Sequence, residues 1–186
     1  HDGPGALRTR DREIVEIADD LQAFTGEEVM DLAGKALAPA LIDLRVQAAL
    51  RTGGAAGLAA TAEAAAAGGI GAIVISAEAG LTRPEHFAPI DAAALDSPVN
   101  LLAAGRLADA QGELGEAGLL LRAGAVLLGD GGTPIRDTRL ARRALSYAAT
   151  FEAWTSLRAE DADLADGTCA HEGDLAMRLG LPARPD

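Results

Sequence analysis

The feature that most constrains this chain is a change of hydrophobic pattern near Leu37. Beyond it, short apolar runs alternate with alanine-rich stretches of helical character. Residues 40–46 read as a strand, and residues 58–67 as a helix stopped by Gly68 and Gly69. Residues 70–76 form a continuous rather than alternating apolar run, the mark of a strand buried on both faces. Residues 84–95 read as a weak helix, with Pro84 tolerated in its first turn. Then come a strand at 99–103, a helix at 113–123 ended by Gly124, and a strand at 125–128 leading into a glycine loop. A helix at 138–150, capped by Asp137 or Thr138, a fifth strand at 154–157 and a last helix at 174–179 complete the series. Repeated strand-then-helix order implies parallel strands joined by helical crossovers.

The first forty residues read differently. Residues 12–18 alternate apolar and polar side chains, as a half-buried strand does, and residues 28–32 read as another short strand. The boundaries that follow are a small N-terminal β segment over residues 1–38 and an α/β unit over residues 39–186. About five βα units fit into the second part, whereas a closed (β/α)8 barrel takes roughly 250 residues. The sheet is therefore either an open, doubly wound one of the flavodoxin kind or part of a larger barrel. An open half-barrel leaves strand edges and apolar faces to be covered by further residues, by a partner or by self-association.

Composition narrows the functional classes. With 186 residues, 49% of them apolar, the chain can bury a core and is not a disordered segment. A net charge of −12 and only 3% aromatic residues offer neither phosphate neutralisation nor base stacking, which speaks against nucleic acid and anionic membrane surfaces. No apolar run reaches the roughly 18 residues of a membrane span. One cysteine, Cys169, allows neither a disulfide framework nor a cysteine zinc cluster. These features together lead us to expect a cytoplasmic protein. The loop Gly129–Asp130–Gly131–Gly132 lacks the Gly-Lys-Ser/Thr end of a nucleotide-binding P-loop.

Several segments, from Asp31 to Gln47 at one end to Arg178 to Pro182 at the other, read together resemble the dihydroorotases and related cyclic amidohydrolases. Asp31 to Gln47 (DLAGKALAPALIDLRVQ) resembles the family phrase D-A-x-G-x-x-L-A-P-G-L-V-D-L-H-V-H, and Ala64 to Val74 (AAAAGGIGAIV) resembles A-A-A-G-G-F-T-T-V. Gly112-Glu-Leu, followed by Leu121 to Val126, resembles G-E-E-L … L-K-E-A-G-A-V. Gly129 to Ile135 (GDGGTPI) resembles S-D-D-G-x-P-V, and Arg142 to Ala148 (RRALSYA) resembles M-R-R-A-L-E-Y-A. Ala159-Glu-Asp, His171-Glu-Gly and Arg178 to Pro182 resemble H-A-E-D … H-E-G … R-L-G-L-P. Order and spacing match from about residue 31 to residue 186. The resemblance implies a partial TIM-type (β/α)8 barrel beside a β-sandwich to which the N-terminal segment belongs. It also implies a chain that stops near the middle of the family's length.

The resemblance further implies a chemistry, which these residues do not support. Family members open a cyclic amide with a metal-bound hydroxide, and zinc lowers the water's pKa toward neutrality. Two histidines, two apart at the end of the first barrel strand, aim their rings into the barrel mouth. Here those positions hold Arg45 and Gln47, and the later histidine position holds Arg158. Arginine is permanently cationic and has no lone pair for a metal. Lys35, the one lysine of the chain, precedes the strand, so a carbamylated lysine does not replace the missing ligands. The family's aspartate pair is reduced to Asp130, followed by Gly131; Asp43 remains as the strand aspartate, free to pair with Arg45 or Arg158. Arg51 stands about two residues late for the family's substrate-carboxylate arginine, and Ser76 to Gly80 lacks the substrate-binding asparagine. His86 and His171 read as packing and turn residues.

The expectation is a non-catalytic dihydroorotase-like protein with no cofactor. By family analogy its role lies in pyrimidine biosynthesis, as a structural partner of aspartate carbamoyltransferase. The alternative is an active zinc-dependent cyclic amidohydrolase whose metal site is rearranged around Asp43, Asp130 and ligands from elsewhere.

Overall fold

A computed structural model describes residues 3–11, 13–32, 34–48, 50–108 and 112–185. The chain divides into two compact units, His1–Pro39 and Ala40–Asp186. The first is built on an antiparallel hairpin of β1 (Ala6–Arg10) and β2 (Glu13–Ala18), with a register irregularity between Arg8 and Thr9. Arg8 organises it. Its guanidinium pairs with Glu16, reaches Glu27 at 3.0 Å and lies 4.4 Å over the Phe24 ring. The alternation in β2 does not bury a face, since Ile14, Val15 and Ile17 are all exposed. The strand expected at residues 28–32 does not form; that stretch carries no regular structure. A two-stranded hairpin has no second layer to cover its apolar side chains, so period-two patterning alone did not produce burial.

The second unit carries the five-stranded parallel sheet. Its strands are β3 (Leu41–Val46), β4 (Ile70–Ile75), β5 (Asn100–Arg106), β6 (Ala125–Gly129) and β7 (Thr155–Ser156). They lie side by side in chain order, every pair parallel. A doubly wound sheet reverses its strand order at a switch point. This one winds in a single direction and is a curled part of a TIM-type barrel, which rules out the flavodoxin-like arrangement.

Four helices link the strands: α1 (Leu50–Ala67), α2 (Ala88–Ala94), α3 (Ala117–Arg122) and α4 (Thr138–Ala149). Gly54, at φ 51° and ψ −139°, interrupts the path of α1. The α2 region begins with a 3-10 turn at Pro84–His86, and another such turn, Ala77–Ala79, follows β4. In α4 the Asp137 carboxylate accepts the Arg139 amide at 2.8 Å, a side-chain N-cap. Leu140, Ala144 and Ala148, spaced by four, form its buried stripe. The chain then makes α5 (Ala162–Ala165) and α6 (Asp174–Leu179), with two-residue strands β8 (Ala170–His171) and β9 (Ala183–Arg184) paired in parallel.

The core lies between the sheet and its helices. Leu58, Ile73, Ile75, Phe87, Ile90, Leu120 and Leu128 are all at most 2% exposed. Strand β4 is buried on both faces from Ala72 to Ile75, as its unbroken apolar run requires. Edge strand β3 differs: Leu41, Ile42 and Leu44 are all more than half exposed. β3 and β4 approach so closely that a Cβ on Gly71 would stand 2.5 Å from that of Ala40. All five strands end on one rim, the side where barrel proteins place their chemistry.

Candidate functional site

At that rim the sequence places a charged residue at or just beyond all five strand ends. Arg45 stands at the end of β3, Glu78 in the 3-10 turn after β4, Arg106 at the end of β5, Asp130 directly after β6 and Arg158 two residues after β7. The Arg45 guanidinium donates to Glu78 Oε1 at 2.5 Å, and Arg158 Nη2 approaches the same oxygen at 3.8 Å. The Glu78 side chain is 16% exposed, against 41% for Arg45 and 36% for Arg158. Hydrogen bonding to Glu78 is the largest cause of the raised Arg45 pKa; burial opposes it, and the charges of Glu78 and Asp130 add to it. Ser76, itself buried, caps the turn by accepting the Glu78 amide on its hydroxyl at 3.3 Å.

Asp130 is buried and fully occupied by backbone. Its Oδ1 accepts the Gly132 amide at 2.9 Å and its Oδ2 the Arg158 amide at 2.6 Å. It therefore ties the glycine loop to the chain after β7. Gly131 and Gly132 adopt φ values of 70° and 82°, the left-handed region glycine favours. A Cβ on Gly131 would meet Arg106 Nε at 2.5 Å, and one on Gly132 would meet Glu78 Cγ at 2.4 Å. The two glycines let Arg106, at the end of β5, and Glu78 lie directly on the loop backbone.

Asp43 departs from the pairing expected of it. Its carboxylate accepts the Arg45 backbone amide at 2.9 Å, while the Arg45 guanidinium turns to Glu78 instead. Gln47 follows β3 and is exposed. Arg51 belongs to the first turn of α1, and its side chain lies outside the described residues. His86 is half-buried, and its Nδ1 accepts the Thr82 amide at 3.3 Å. His171 lies on β8, where its Nε2 is 3.3 Å from Arg184 Nη2. Neither histidine lines the pocket at the rim, whose walls include Arg45, Ser76, Glu78, Asp130 and Ser156.

A resident metal needs lone pairs from neutral imidazole, thiolate or carboxylate. Among the described residues no group of three or more histidine, cysteine, aspartate or glutamate side chains is arranged to hold one. Of the two carboxylates lining the pocket, Asp130 is spent on amides and Glu78 on a guanidinium. These residues do not fit a zinc centre.

Comparison with known proteins places this arrangement in a family. A profile described as Dihydro-orotase-like matches residues 34–185. The chain belongs to the dihydroorotase-like family. It is 32% identical over 197 residues to a dihydroorotase of Anaplasma phagocytophilum (strain HZ), covering all of this chain and 43% of that protein. Against a dihydroorotase-like protein of Pseudomonas aeruginosa PAO1 it is 33% identical over 196 residues, covering all of this chain and 45% of that one. Over 74 residues it is 43% identical to a dihydroorotase-like protein of Pseudomonas putida, covering 40% of this chain and 18% of the relative. The chain thus spans less than half the length of these relatives. Of the dihydroorotase-like positions singled out in the sequence, Arg45, Arg158 and Asp130 meet at the rim, whereas Gln47 is an exposed residue beside it. Glu78 and Arg106 escaped sequence reading. The Ser76–Gly80 stretch stood out only for the asparagine it lacks, although an acid at a parallel strand end opposite two arginines was the available signal.

Proposed function

We propose that this dihydroorotase-like chain is non-catalytic, and that its barrel mouth is held by ion pairs where family members hold metal. The observation that carries this reading is the convergence of Arg45 and Arg158 on one oxygen of Glu78. Two guanidinium groups at former ligand positions repel a dication. Glu78, the carboxylate that faces them, is already engaged. Asp130 keeps a family position but serves as a loop clasp, with both oxygens on backbone amides. The cluster thereby acts as a fixed brace across the rim: it joins the ends of β3 and β7 through the turn after β4.

A fold kept without its reaction fits a structural role. Family analogy makes the partner aspartate carbamoyltransferase and the setting pyrimidine biosynthesis. Edge strand β3, with Leu41, Ile42 and Leu44 exposed, is the kind of surface an assembly covers.

The test is metal content of the full-length protein after zinc loading, together with ring opening of dihydroorotate. Less than about a tenth of a zinc per chain and no hydrolysis above background is the expected result. One tightly held zinc per chain, or turnover, overturns the reading in favour of an active amidohydrolase with a rearranged site. Co-elution with the carbamoyltransferase of the same organism tests the partner, and separate elution refutes it.

A further inference from the structure

Helix α4 carries positive charge where a helix gains nothing from it. Arg139, Arg142 and Arg143 all lie in its first half, beside the partial positive charge of the helix N-terminus, where cations are unfavourable. Arg139 stands three and four residues from the other two, the spacings at which side chains on a helix meet, so like charges face one another. No acidic residue within α4 offsets them. The motif that this stretch resembles, M-R-R-A-L-E-Y-A, holds a glutamate one turn beyond its arginine pair; here that position is Ser146. Asp137 is engaged as the N-cap and stays 3.8 Å from Arg139 Nε, whose side chain is 92% exposed. Arg142 and Arg143, both exposed, have no carboxylate partner among the described residues. On a chain with 28 acidic residues against 16 basic ones, unpaired cations are concentrated on one helix face.

Apolar side chains lie beside these arginines. Arg139, Arg143 and Tyr147, four apart, share one side of α4, and Phe151 continues the series just past its end. The Tyr147 and Phe151 rings meet edge to face, with centroids 5.2 Å apart. Phe151 reaches across to α3: a Cβ on Gly118 would stand 2.8 Å from its Cζ and 3.6 Å from Arg122 Nη1. Phe151 is nevertheless 41% exposed, and Leu119, next to Gly118, is 43% exposed. Arginine, tyrosine and phenylalanine are the residue types that concentrate at the centres of protein interfaces.

We propose that the outer face of α3 and α4 is a docking surface for an acidic protein segment that carries an apolar side chain. The segment's carboxylates take Arg139, Arg142 and Arg143, and its apolar side chain covers Phe151 and Leu119. Charge selects this occupant. A protein segment presents a few carboxylates at discrete points, which three guanidinium groups match. Nucleic acid or an anionic membrane needs a longer basic track. Either would also meet the acidic stretch from Glu160 to Asp174, which reaches this side of the unit through the Arg136–Asp163 pair at 2.5 Å. The surface belongs to the helical layer rather than to the barrel mouth, so the inference stands apart from whether that mouth holds a metal.

The experiment measures binding of the full-length protein to a fluorescent random copolymer of glutamate and tyrosine, at low ionic strength. Poly-glutamate, duplex DNA and phosphatidylserine vesicles are the comparison probes. The expected result is saturable binding of the copolymer, tighter than that of poly-glutamate and weaker as salt is added. The double variant Arg142→Gln, Arg143→Gln should bind it at least about tenfold more weakly, the loss of two exposed charge pairs. Ser146→Glu, which gives the arginines a carboxylate of their own, should weaken binding in the same direction. Arg83→Gln, in the exposed turn before α2, should bind as wild type does. The α4 substitutions sit at exposed positions and remove like-charge repulsion, so circular dichroism should show both variants folded as wild type. Absent or non-saturable binding, or binding unchanged by the double variant and by Ser146→Glu, overturns the proposal. Equal binding of the two polymers, or tighter binding of DNA or vesicles, overturns the stated partner chemistry and with it the proposal.

Discussion

Removing Glu78 should unlock the rim, and the structure sets the size of the effect. In Glu78→Ala, Arg45 loses a 2.5 Å charge-assisted hydrogen bond and Arg158 loses its 3.8 Å neighbour. A hydrogen bond to a charged group contributes about 1.5–3 kcal/mol. The Arg45 side chain is 41% exposed, so water screens the pair and the lower end of that range applies. The longer Arg158 contact adds at most about 0.5 kcal/mol. The sum is a loss of about 2 kcal/mol, read as a lower urea midpoint at unchanged slope. The loss should shrink in 1 M salt, where the screening length falls to about 3 Å. A cycle with Arg45→Met should return a coupling of about 1.5 kcal/mol. If Glu78→Ala is as stable as wild type in low salt, or if the cycle shows no coupling, the ion-pair brace is refuted.

Three further outcomes follow from other parts of the chain. Leu120 is fully buried beneath Gly105, so Leu120→Ala should cost about 2–5 kcal/mol in chemical denaturation; a loss below about 1 kcal/mol would mean the core is not packed as described. Asp137→Ala removes the N-cap of α4 and should cost about 1 kcal/mol, with Asp137→Asn close to wild type in the same assay. The pKa of Glu27 is lowered, chiefly by the Phe24 amide it accepts and then by Arg8, while burial opposes the shift. A depressed carboxylate stabilises above its unfolded pKa and loses that contribution as pH falls through the folded one. Carboxyl NMR should therefore show Glu27 titrating below the usual glutamate range, and an Arg8→Ala variant should move it upward.

The sheet was legible because its strands carry their own signal. The continuous apolar run from Ile70 to Ile75 can be stable only when covered on both faces, and β4 is indeed buried from Ala72 onward. Gly124 and the Gly68 and Gly69 pair marked turns for the same local reason. In the N-terminal segment the strand over residues 12–18 forms as Glu13–Ala18, whereas residues 28–32 have strand-like composition but no regular structure. Helix α1 begins earlier than its apolar periodicity starts, because Leu50 packs against the core whatever the pattern of the residues after it.

The site divides in the same way. Residue type at the strand ends was enough to exclude Arg45 and Arg158 as metal ligands, since no fold gives a guanidinium a lone pair. The sequence by itself also determined the parallel βα order and the presence of a glycine loop beside Asp130. Which charges meet was not readable there. Asp43 stands two residues from Arg45 in the chain, yet Glu78, 33 positions on, takes the guanidinium. Side chains two apart along a strand point the same way and lie well separated, whereas neighbouring parallel strands bring their ends within ion-pair reach. Only the tertiary structure, by laying β3, β4, β5, β6 and β7 side by side, decided that Arg45, Glu78, Arg106, Asp130 and Arg158 share one rim.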